Sequence, residues 1–115
     1  MSLTIIDLEE KHPVEIVEYQ FDLSKNSAFA SGADVLDSQA AWYVYDTDDL
    51  DTNLSATMVY AYDYDAATNI IKCTVQIGTT GKTYYLVGVV TVTSSGRKYL
   101  VIGRFRVKSL GVSAT

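Results

Sequence analysis

The side chains able to do chemistry are few and scattered. His12 is the one histidine, and it sits beside Pro13 in a charged N-terminal segment. A hydrolytic triad needs a base held against a nucleophile, and no GxSxG or comparable turn offers one, so His12 reads as a solvated side chain. Cys73 is the one cysteine. It cannot form an internal disulfide, and it joins no CxxC or Cys/His cluster that would hold a metal. Lying within a strand pattern, it reads as a small apolar residue, not a reactive thiol. The stretch Gly78-Thr-Thr-Gly-Lys-Thr83 is superficially like a phosphate loop, but its glycine spacing is too short and a strand follows where a helix is needed. Carboxylates are plentiful at Asp46, Asp48, Asp49 and Asp51 and again at Asp63 and Asp65. By residue type alone such pairs suit glycoside hydrolysis, and their oxygens suit calcium, yet the first group lacks the glycine and terminal glutamate of an EF-hand loop. A polar loop is the simpler reading. The expectation is a protein without catalysis, cofactor or metal.

Charge says more about partners. The formal net charge is −5, against the basic surplus by which proteins neutralise phosphates, so nucleic acid is not an expected partner. The distribution is uneven: Arg97, Lys98, Arg104, Arg106 and Lys108 place five of the nine basic residues in one C-terminal stretch, while Asp46, Asp48, Asp49 and Asp51 cluster mid-chain. Complementary patches of this kind can steer self-assembly, which makes these residues candidates for an interface; solvated strand faces and loops are the plain alternative. The nine tyrosines, Tyr43, Tyr45, Tyr60, Tyr62 and Tyr64 among them, exceed what a small core easily holds, because each buried hydroxyl needs a partner. Outward-facing tyrosines serve protein interfaces and carbohydrate stacking alike.

The elements that must position these residues are strands. In Val17-Glu-Tyr-Gln-Phe-Asp-Leu23 the apolar residues alternate with polar ones, the signature of a strand with one face in a core. Ala40 to Tyr45 is strand-like on both faces, with Trp42 and Val44 opposing Tyr43 and Tyr45. Leu54 to Tyr62 reads as another extended segment. Ile70 to Ile77, Thr83 to Thr93 and Lys98 to Val107 follow as strands. They are separated by a corner at Gly78 and Gly81 and a hairpin turn at Gly96, where glycine permits the positive φ that such turns need. Strands with short turns and no helical period predict an all-β, immunoglobulin-like antiparallel sandwich of about seven strands. Along Tyr84 to Thr93 both alternating sets are largely apolar, so the sequence leaves open which faces inward; Gly88 is a candidate bulge, and cover by a partner subunit is the other explanation.

At 115 residues the chain fits one domain, taken as residues 14–109 with an N-terminal extension or arm at 1–13 and a tail at 110–115. Hydrophobic residues make up 48% and charged residues 20%, ordinary globular usage. The N-terminus lacks the pattern of a signal peptide, and no apolar run has the length to span a bilayer. A soluble protein made in a cytoplasm, with no membrane partner, is expected.

The C-terminal half resembles a known family. Gly78-x-x-Gly81-x-x-Tyr84, an alternating strand, Thr93-Ser-Ser-Gly-Arg97 and a basic last strand ending Arg104-Phe-Arg-Val107 are similar to the phage fiber-tail adaptor proteins and related small virion proteins of tailed bacteriophages. The likeness spans roughly residues 17 to 107 and is most specific from Ile70 onward; Ser24 to Asn69 departs in its acidic, tyrosine-rich content. The resemblance implies an immunoglobulin-like fold without catalysis. It also implies a place in the virion, linking fibers to the tail or baseplate beside other virion subunits as part of a multimer. Tyr84 would be the tyrosine of a corner, its hydroxyl bonded back to nearby backbone. Capsid decoration and a carbohydrate or host-surface binding module are the alternative roles for such a sandwich.

Overall fold

The computed structural model describes residues 5–108. Seven strands form two sheets: β1 (Ile5–Asp7), β2 (Val17–Asp22), β3 (Ala41–Asp46), β4 (Val59–Asp65), β5 (Ile70–Val75), β6 (Thr83–Thr91) and β7 (Lys98–Arg106), with single helical turns α1 (Ser27–Ala30) and α2 (Ser55–Met58). One sheet runs β1-β7-β6-β3 and the other β2-β5-β4. All pairings are antiparallel except β1 on β7. The second to seventh strands thus fall in the order of the immunoglobulin Greek key.

Alternation decides what is inside. Tyr19 and Phe21 of β2, Trp42 and Val44 of β3, Ile71, Cys73 and Val75 of β5, Tyr84, Leu86 and Val90 of β6 and Phe105 of β7 fill the space between the sheets. Each large aliphatic side chain buried this way contributes about 1.5 to 3 kcal/mol. The parity of β6 is settled: Tyr84, Leu86 and Val90 face inward, and Tyr85, Val87 and Val89 lie half-exposed outside.

Gly88 is not a bulge. Its register with both neighbours is regular, and the irregularity falls between Val59 and Ala61 on β4. Gly88 instead makes room for the indole of Trp42, directly opposite: a Cβ there would lie 2.7 Å from Trp42 Cζ3 and 2.9 Å from Val101 Cγ2.

The segment before β4 differs from the expected extended chain. Leu54 to Met58 is a helical turn, in which the Leu54 carbonyl accepts from the N–H groups of Thr57 and Met58 and Asn53 Oδ1 caps the Ser55 N–H. The turn carries Met58 into the core, which an extended chain entering β4 would not do. Residues 5–11, assigned to an arm, lie along the sheet edge. Ile5, Ile6 and Asp7 pair with Ile102, Gly103 and Arg104, and Lys11 bridges to Val107. The described part of that segment is a member of the sandwich, held there by main-chain bonds from Leu8 and Lys11 to the carbonyls of Arg104 and Arg106. The tail at 110–115 lies outside the described residues.

Candidate functional site

The glycine and tyrosine positions singled out from sequence form the two turns that frame β6. Gly78, Gly81 and Gly96 all have positive φ, at 109°, 88° and 76°. Gly78 has a second constraint, because a Cβ there would meet Val107 Cγ2 at 2.7 Å. Tyr84, buried at the start of β6, accepts a hydrogen bond on its hydroxyl from the Thr79 N–H at 2.9 Å and stacks on Phe105. This is the geometry of a tyrosine corner: the hydroxyl bonds back to the backbone five positions upstream and fixes the angle at which β6 enters the sheet.

That frame presents the outer face of the four-stranded sheet. The register sets Ile5, Ile102, Val87 and Tyr43 in one row across it, Leu100, Val89 and Ala41 in the next, and Asp7, Arg104, Tyr85 and Tyr45 in a third. Outward positions of a lone sandwich strand are normally polar, whereas two of these three rows are apolar apart from the Tyr43 hydroxyl. Leu50, 60% exposed in the loop after β3, lines an open apolar groove of about 340 Å³ with Ile5, Tyr45, Tyr85, Val87 and Ile102.

The charged candidates are divided. Asp46 binds Lys82 at 2.7 Å, which holds its carboxyl below the usual range. Arg104 grips Asp7 through Nε and a terminal nitrogen, at 2.9 and 2.7 Å. Arg97 reaches Asp34 at the opposite end of β7. The acidic turn is organised by its own backbone: Asp46 and Asp49 carboxylates accept the N–H groups of Asp48 and Asp51. Asp48, Asp49, Asp51, Lys98 and Arg106 are exposed. Asp46 and Arg106 lie at the same end of the sheet, on the β3 and β7 sides of the apolar rows; Arg97 and Lys98 lie at the other end. Among the described residues no group of three or more potential ligands is placed to hold a metal ion.

Two buried charges had no signal in the sequence. Lys11 is fully buried, its ammonium donating to the His12 carbonyl at 2.7 Å, and burial pushes its pKa down. Its neighbour His12 is half-buried. Asp34 is also buried; the Tyr99 hydroxyl donates to it, and that bond, with Arg97, keeps its carboxyl below the ordinary value despite desolvation. Asp34 lies in a Gly/Ala/Ser-rich stretch that reads as loop, and nothing local marks it as the anchor of β7. Cys73 is fully buried, and desolvation pushes its thiol up to about 12.

No protein-family model matches the chain, and no curated protein matches it.

Proposed function

We propose that this sandwich is a non-enzymatic structural protein of a tailed phage virion, an adaptor that joins fibers to the tail or baseplate by contacts with other protein subunits. The observation that carries the reading is the outer face of the β1-β7-β6-β3 sheet. Its contiguous half-exposed apolar rows, with an ion pair and tyrosines along one side, have the composition of an interface core with a polar rim. The resemblance of residues 70 to 107 to fiber-tail adaptors supplies the particular role. Mass spectrometry of tailed particles separated into heads and tails tests the location: recovery in the tail fraction is expected, and recovery only with heads would make it a capsid decoration protein. Light scattering of the isolated chain over a range of concentration and salt tests the interface, with a discrete multimer expected.

Tyr60 and Tyr62, 60% and 54% exposed on β4, favour a second reading as a carbohydrate or host-surface binding module. Saturable binding on a glycan array by a strictly monomeric chain would put that reading first.

A further inference from the structure

The two sheets are unequal, and the missing strand has a definite position. β2 stacks over β7: a Cβ on Gly103 would touch Phe21 Cζ at 2.9 Å, Tyr19 packs on Phe105, and the Tyr19 hydroxyl donates to the Glu9 carbonyl at 2.8 Å. β1 lies one strand further out, and β2 is the edge of its own sheet, so among the described residues no strand lies opposite β1. Ile6 shows the consequence. It pairs in register with Gly103 and therefore faces inward, yet it is 45% exposed.

The open edge of β2 is fit for pairing. Leu23 directs its N–H to Asn69, on the β5 side. By the alternation of an antiparallel ladder, Phe21, Tyr19 and Val17 direct theirs the same way, and Glu18, Gln20 and Asp22 point their N–H and C=O groups away from β5. Those three residues offer donor and acceptor pairs about 6.8 Å apart along the edge. Among the described residues no main-chain bond is made to them from that side. Among the other outer strands, β3 is by contrast capped by its own loop: Leu54 N–H donates to the Val44 carbonyl and Asp49 N–H to the Asp46 carbonyl. Edge strands left open in this way are templates for another chain.

We infer that the β2 edge receives an extended segment of a partner protein as an eighth strand. Alternation fixes the chemistry of that segment. Its inward side chains lie over Ile6 and are apolar; its outward ones neighbour Glu18 and Asp22, both exposed, with Lys72 of β5 beside Gln20, Asp63 beyond it and Lys25 near Asp22, three carboxylates against two ammonium groups. The local surplus is acidic, so the incoming strand alternates apolar residues with lysine or arginine. This surface is distinct from the outer face of the other sheet, so its test is independent of the multimer.

The probe is an acetylated, amidated heptapeptide alternating lysine with valine, titrated into the isotopically labelled full chain and followed by amide and methyl NMR. The expected result is saturable shifts at the Glu18, Gln20 and Asp22 amides and the Ile6 methyls, slower amide exchange at those three residues, and at least tenfold weaker binding of the glutamate–valine counterpart. Gln20→Pro removes only an outward N–H, which an edge strand tolerates, and is expected to weaken binding at least tenfold with the fold intact. Ile6→Lys, at an exposed position, is expected to do the same through the loss of cover and the added repulsion. The inference is overturned if both peptides bind alike, if shifts map to Tyr43, Val87 and Leu100 instead, if neither variant weakens binding, or if no shift is seen at millimolar peptide.

Discussion

The Thr79 N–H donates to the Tyr84 hydroxyl at 2.9 Å, tying the first inward residue of β6 to the corner that precedes it. Tyr84 is buried but Thr79 is exposed, so removing the hydroxyl loses the bond and leaves the Thr79 N–H open to water. Tyr84→Phe is expected to cost about 0.5 to 1.5 kcal/mol with the fold retained, measured by urea unfolding.

Gly88 and Trp42 are similarly matched. Gly88→Ala places a methyl carbon 2.7 Å from the Trp42 ring and 2.9 Å from Val101. The overpacking is expected to destabilise the chain by about 1 to 3 kcal/mol, and Trp42→Phe in the same chain is expected to cost less than the sum of the two single substitutions. A double-mutant cycle by denaturant unfolding measures the coupling.

Stability is expected to fall in acid. The carboxyls of Asp22, Asp34, Asp37 and Asp46 all lie below their unfolded value of 3.8, held by hydrogen bonds to Ser24, Tyr99, Thr93 and Lys82 respectively. A depressed carboxyl contributes stability that is complete above its unfolded pKa and is lost as pH drops through its folded one. Thermal unfolding midpoints are therefore expected to be flat above about pH 5 and to fall steadily below 3.8. Asp34→Asn is expected to make that decline shallower and to lower the midpoint at neutral pH.

Cys73 is expected to resist thiol reagents in the native state, because only the thiolate reacts and burial both raises the pKa and bars access. Labelling is expected to appear at the rate of unfolding, which mass spectrometry across a denaturant series reads directly. Labelling of the native chain at the rate of a free thiol would contradict the packing.

Leu100 probes the outer face without touching the core. Leu100→Glu, at a position 46% exposed, is expected to change unfolding free energy by no more than about 0.5 kcal/mol while reducing multimer mass in light scattering. An unchanged mass would remove this face from the interface.

Local pattern was enough for the strands. Alternation from Val17 to Asp22, the glycines at 78, 81 and 96, and the apolar runs of β6 and β7 define a sandwich, because side-chain period and permitted φ are properties of neighbouring residues. The segment after Asn53 was misread as strand, because its helical turn is held by a cap and by a core site for Met58 that only the assembled sheets provide. The parity of β6 was undetermined for a related reason: both sets are apolar, and the choice came from the size match of Trp42 with Gly88 and the closure of the corner by Tyr84. Charge patterning located the acidic turn and the basic strand, but not that Asp46, Arg97 and Arg104 are each paired with a residue at least 36 positions away. Nor does sequence spacing reveal that Asp34 is buried or that β2 is the outer strand of its sheet, on the side of Ile6. Those are properties of how many strands each sheet holds and what lies across from each one, and tertiary structure alone decides them.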